Sequence, residues 1–135
     1  MRHVALEQMQ ERAAGTGVGL DPTALTGNWA NTNSSPSLIR HIQLEPRQNQ
    51  LLMRVAGADL GLPENWGVTQ AQPFAENTTS GLAMALSACF DLGGIECLLQ
   101  GYAVKGVLVI VSFTWVKDGR ERCNSFGKEF FYRVA

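Results

Sequence analysis

Side chains able to do acid–base or metal chemistry are few and scattered. Histidine occurs only at His3 and His41, and cysteine at Cys89, Cys97 and Cys123. Two distant histidines and three dispersed thiols lack the clustered spacing that a metal site requires. No HExxH, P-loop, GxGxxG or GxSxG pattern occurs in the chain. The expectation is therefore no metal and no cofactor. His41 stands next to Arg40 in a strand-like run and reads as a wall or surface histidine. Glu76, Asp91 and Glu96 fall at or near the ends of such runs. A carboxylate there acts as a general base when its pKa is raised, and is more commonly a solvated rim charge. Tyr102 and Glu76 are the catalytic candidates.

The aromatic residues carry more information. Trp66, Phe74, Phe90, Tyr102, Phe113 and Trp115 are spaced along four runs, and Phe126, Phe130, Phe131 and Tyr132 crowd a fifth. Core packing is the ordinary use of such residues. A small barrel has no room for all of them, so some must line a pocket or an interface. Trp66 and Tyr102 combine an apolar body with a polar tip that orients a bound carbonyl or enol. The expected ligand-facing set is Met53, Trp66, Phe74, Met84, Leu86, Phe90, Tyr102, Phe113 and Trp115.

These residues sit on a regular series of strand signals. Eight runs are separated by segments rich in Gly, Asn, Asp, Ser or Pro: Leu25–Asn31, Leu38–Glu45, Gln50–Ala56, Trp66–Ala75, Leu82–Leu92, Ile95–Val104, Leu108–Val116 and Phe126–Val134. Short turns force sequential neighbours to pair antiparallel. Nothing between the runs has the length and period of a crossover helix, so a parallel sheet is not expected. The fold class is all-β: an eight-stranded antiparallel up-and-down β-barrel. Closure removes both sheet edges and leaves room for side chains or one small ligand. A two-sheet sandwich is the alternative, but only 57–65 approaches the long connection it needs.

Residues 1–24 precede this series as an arm or lid, and residues 25–135 form the barrel. Val4, Leu6, Met9 and Ala13 lean to one side of a loose amphipathic helix over 1–14, ended by Gly15, Gly17 and Gly19. The segment reads as a short helix or as frayed chain. In Leu82–Leu92 the even positions are large and the odd ones small, apart from the terminal Asp91. In Leu108–Val116 both faces are apolar. A strand apolar on both faces implies that the wall meets something outside. A homodimer through the barrel wall is the economical expectation, and packing of the N-terminal segment is its rival.

Composition narrows the class of partner. Hydrophobic residues make up 45% of the 135 residues and charged residues 17%, against a usual ~25% charged. A small domain with so little charge either covers apolar surface with a partner or lines a cavity with it. The net charge is −1 and no basic run occurs, which leaves nucleic acid and anionic membranes without an electrostatic footprint. The first fifteen residues contain Glu7, Glu11 and Arg12 and no apolar run, unlike a signal peptide. The longest apolar stretch, Gly106 to Phe113, is too short to span a bilayer. The expected location is the cytoplasm, where cysteines stay reduced.

Leu25-Thr26-Gly27-Asn28-Trp29 opens the first run with a Gly-x-Trp pattern, and Arg133 lies in the last. This pairing resembles the calycin superfamily of lipocalins, avidins and their bacterial relatives. The resemblance implies that Trp29 plugs one end of the barrel while Arg133 lies over its indole. The chain departs from lipocalins in lacking their paired cysteines, secretion signal and C-terminal helix. In size and architecture it is also similar to bacterial barrel cyclases of polyketide tailoring. That likeness implies an enclosed linear polyene folded for a Diels–Alder-like closure, at the level of fold analogy. Three functions follow: a cyclase or isomerase working by shape, a non-catalytic lipocalin-like binder of a hydrophobic ligand, and an interaction domain whose barrel is filled by its own side chains.

Overall fold

The computed structural model describes residues 19–36, 38–58, 62–117 and 123–134. The helix expected over 1–14 lies outside the described residues, as do residues 118–122. Eight strands follow in order: β1 (Gly27–Asn31), β2 (Ile39–Arg47), β3 (Gln50–Gly57), β4 (Asn65–Ala75), β5 (Ala83–Asp91), β6 (Ile95–Val104), β7 (Val107–Val116) and β8 (Ser125–Val134). Each pairs antiparallel with the next, and β8 returns to β1, so the sheet is a closed barrel. Four pairs make the closure: Asn28↔Val134, Trp29↔Arg133, Ala30↔Tyr132 and Asn31↔Phe131. Among the described residues no helix is long and apolar enough to cross a membrane.

The first expected run begins two residues late because Pro22 captures its start. The N–H groups of Leu25 and Thr26 both donate to the Pro22 carbonyl, at 2.8 and 3.0 Å. That makes a turn out of what alternation alone reads as strand. Ahead of it, Asp21 bridges to Leu82 in parallel. Asp21 donates to the Gly81 carbonyl at 2.8 Å and accepts from Ala83 at 2.8 Å.

Residues opposite one another across a ladder share a face, so the register traces the inside. Trp29, Ile42 and Val55 follow one another across β1–β3, as do Leu44 and Met53 across β2–β3. Leu86, Gly101, Ile110 and Glu129 follow across β5–β8. The large even face of β5 therefore points inward, at Leu86, Ala88 and Phe90, all buried. The outer rows carry Tyr102, Val109 and Phe130 on one level and Leu98, Phe113 and Phe126 on another. The wall of β6–β8 thus carries large apolar residues outside as well as inside, with Gln100, Val111 and Lys128 on the outer row between.

The two ends differ. The leader end holds residues 19–26, the tight 48–49 and 105–106 turns and the 76–82 connection. The far end holds the 32–38, 58–64, 92–94 and 117–124 connections. Leu25, Trp29, Ile42, Leu44, Met53 and Phe131 bury almost completely and form the core. Burying one such side chain contributes ~1.5–3 kcal/mol.

Candidate functional site

The seam at the leader end is built on Trp29, which is wholly buried. Its indole N–H donates to the Leu25 carbonyl at 2.9 Å. The Arg133 guanidinium lies 4.6 Å above the ring centre. The same guanidinium donates to the carbonyls of Thr23 and Ala24 at 3.2 and 3.0 Å. Gly27 has φ +125°, and a Cβ there would stand 3.4 Å from Arg133 Nε. Glycine thus supplies both the backbone conformation and the clearance that let the arginine reach across β1.

Toward the far end the interior turns partly polar. Glu129 lies on the inner face between Phe131 and Gly127, opposite Ile110. One carboxylate oxygen accepts from Asn31 Nδ2 at 2.7 Å and the other from the Ile39 backbone N–H at 3.1 Å. Asn31 Nδ2 also donates to the Ile39 carbonyl at 2.8 Å. The β1–β2 register ends at Ala30↔His41, and the β2–β3 register shifts between Ile39 and His41. Glu129 and Asn31 thus satisfy backbone groups that the irregular ladder leaves over. On the same wall, Ser112 is buried opposite Leu99 and Gly127. Cys97 lies beside it, its sulfur 3.7 Å from Thr114 Oγ1.

Trp66 and Phe90 form the apolar half of this end. Both are buried. Their ring centres are 5.6 Å apart at an interplanar angle of 67°, an edge-to-face pair. Trp66 Nε1 is enclosed and has no hydrogen-bond partner among the described residues. A Cβ on Gly57 would meet Trp66 Nε1 at 2.7 Å and the Pro63 carbonyl oxygen at 2.8 Å. Gly57 is therefore glycine because the indole occupies that space.

The expected ligand-facing residues divide between the two faces. Met53, Trp66, Leu86 and Phe90 are buried inside. Met84 is partly buried where the β4–β5 register shifts from Phe74↔Ala85 to Ala75↔Ala83. Phe74, Tyr102, Phe113 and Trp115 occupy outward register positions, with Phe74 and Tyr102 41% and 42% exposed. Of the two catalytic candidates, Tyr102 stands outside opposite Ala85 and Val109, and Glu76 is exposed just beyond β4. The barrel interior brings together neither of them.

Cys89 pairs with Leu98 and Cys97 with Phe90, so the two thiols lie on opposite faces of the β5–β6 hairpin rather than facing each other. All three cysteines are free. Burial pushes both thiols up to about 11, with Glu96 adding repulsion at Cys89. Low thiolate content makes both poor nucleophiles. No group of three or more His, Cys, Asp or Glu side chains among the described residues is arranged to hold a metal ion.

Two clefts open at the ends. The far-end cleft, about 460 Å³, lies between Asn31, the 33–36 connection and Arg40. The leader-end cleft, about 600 Å³, lies between the β2–β3 hairpin tip, the end of β4 and residues 19–22.

No family model, curated protein or solved structure matches this chain. The closed eight-stranded barrel is consistent with a calycin-like architecture. Glu129, Asn31 and Ser112 escaped the reading of the sequence. Glu129 had a usable signal: placing Arg133 over Trp29 puts the odd positions of β8 inside, Glu129 among them.

Proposed function

We propose that the protein is a small-molecule-binding barrel that holds one apolar ligand bearing a hydrogen-bond acceptor in the far half of its interior. The supporting observation is the enclosed, unpartnered indole N–H of Trp66 beside the edge-on ring of Phe90. A buried donor without an acceptor costs about 1–3 kcal/mol. A ligand carbonyl or ether oxygen reaching Nε1 removes that cost, while its hydrocarbon part replaces side-chain contacts along Met53, Leu86 and Phe90. Asn31, Ser112 and Glu129 give the opposite wall a polar strip that orients the ligand. The test is native mass spectrometry with thermal shift against a panel of polyene ketones and esters. A retained ligand and a raised Tm are expected, with roughly three- to tenfold weaker binding in Trp66→Phe. No retained ligand across the panel refutes the reading and leaves a barrel filled by its own side chains.

The catalytic form of this reading is the cyclase suggested by the resemblance to polyketide-tailoring barrels. A Diels–Alder-type closure consumes three π bonds and forms two σ bonds and one π bond. No atom leaves and no proton moves, so a wall that holds the chain in a near-attack fold is sufficient. Incubation with a linear polyene must then yield a product of unchanged mass and altered retention, faster than in buffer. An unchanged cyclisation rate removes catalysis and leaves binding. The proposed setting is cytoplasmic.

The outer wall of β6–β8 is proposed as a homodimer interface. Phe126, Phe130 and Tyr132 are 78%, 44% and 48% exposed, beside Tyr102 and Val104. An aromatic-rich face on three adjacent strands, crossed by the Gln100–Val111–Lys128 row, suits a twofold contact in which the same surface meets itself.

A further inference from the structure

The leader-end cleft differs in chemistry from the interior. It carries five carboxamide side chains: Gln48, Asn49, Gln50, Gln70 and Gln72. None of its described lining residues bears a charge. Its apolar contribution comes from Phe74, Leu20 and the prolines Pro22, Pro46 and Pro73. Phe74 is 41% exposed, so part of an aromatic ring is open to a ligand. The volume of about 600 Å³ falls within the range of small-molecule sites.

The walls are positioned by backbone structure. Gln70 and Gln72 belong to β4, held through Leu52↔Gln70 and Gln72↔Ser87. The residues 19–22 that face them are tied down by the Asp21 bonds to Gly81 and Ala83, both 2.8 Å. Gln72 is only 6% exposed, so little of its side chain is open at the back of the cleft.

From these features we infer that the leader-end cleft is a second binding site, for a neutral polyhydroxylated ligand of the saccharide class. A carboxamide offers two donors and an acceptor on one planar group. Several of them match a hydroxyl rim, whose oxygens both donate and accept. The half-open ring of Phe74 and the proline faces suit the C–H face of a pyranose. Among the described lining residues an anionic or cationic ligand would find no countercharge. The interior ligand is apolar and sits at the other end of the barrel, so the two sites are tested separately.

The test is two-dimensional amide NMR of the intact chain, titrated with neutral saccharides: methyl glucoside, methyl galactoside, methyl mannoside, N-acetylglucosamine and maltotriose. At least one must saturably shift the side-chain NH₂ signals of Gln70 and Gln72 and the backbone of 48–50, leaving the Trp66 indole signal unmoved. The exposed variants Gln48→Ala and Gln70→Ala must each weaken that binding roughly three- to tenfold, the size of one neutral hydrogen bond. Their unchanged Tm separates the loss from misfolding. No saturable shift with any saccharide overturns the proposal. So does a shift at these residues with a neutral Pro/Gln-rich peptide alone.

Discussion

Trp29→Ala tests the seam on which closure depends. The side chain is wholly buried, and it sits under the Arg133 guanidinium at 4.6 Å. Truncating a buried Trp costs about 3–5 kcal/mol through lost transfer energy and the cavity left behind. The Leu25 carbonyl also loses its indole donor. For a domain of this size each kcal/mol moves Tm by roughly 3–5 °C, so a fall of roughly 10–20 °C is expected. Arg133→Ala removes a partly solvated cation–π contact of ~0.5–1 kcal/mol together with two bonds to the 23–24 carbonyls. Its expected cost is about 1–2 kcal/mol. Urea melts of wild type, both single variants and the double variant form a cycle that isolates the pair. A coupling of ~0.5–1.5 kcal/mol is expected. A Trp29→Ala cost under ~1 kcal/mol, or a coupling indistinguishable from zero, refutes the argument that this pair sews β1 to β8.

Other parts of the molecule give independent expectations. In thiol labelling at mild alkaline pH, exposed Cys123 reacts quickly and Cys97 only on unfolding; three equally fast thiols would contradict the burial of Cys97. Because folding raises the Cys89 and Cys97 pKa values from 9.0 to about 11, it favours their protonated forms. Their contribution is intact below pH 9 and lost as pH rises toward 11, which melts across that window will register as falling Tm. Gly57→Ala drives a methyl into Trp66 Nε1 and the Pro63 carbonyl, costing about 1–3 kcal/mol; a neutral result in urea melts would mean the indole lies elsewhere. Glu129→Ala strips acceptors from Asn31 and Ile39, so the Ile39 amide should exchange faster by hydrogen-exchange NMR, at a stability cost of about 1–3 kcal/mol. Phe126→Glu with Phe130→Glu should convert a dimer to a monomer in sedimentation, and a wild-type monomer at micromolar concentration removes the interface.

Much of the barrel was legible because its turns are short and chemically plain. Ile95–Val104 is the strand the alternation predicts, residue for residue, and the ends of the other seven strands differ by at most two positions. Faces were harder to read. The inside changes parity wherever a ladder slips, and it slips between Ile39 and His41, Arg54 and Ala56, and Phe74 and Ala75. Parity also changes without a slip: β5 and β6 pair even with odd positions, so an even aromatic is inward in β5, as Phe90 is, and outward in β6, as Tyr102 is. One fixed point could have carried further. Trp29 over Arg133 sets the parity of β8 and places Glu129 inside without coordinates. The leader-end cleft was beyond the sequence, because it joins residues 19–22 to Gln48 and Gln72 through a closure that no local pattern encodes.

The brevity of β1 has a consequence for how the chain is made. This five-residue strand takes one neighbour from the adjacent β2 and the other from β8, at the opposite end of the sheet order. During synthesis its far edge, with hydrogen-bonding groups unspent, stays bare until Val134 has left the ribosome. An incomplete barrel is thus an open sheet with two sticky rims and an apolar back. The last ladder to lock, with four pairs, is among the shortest, which makes the junction between residues 28 and 134 the natural place for the native ring to spring open again.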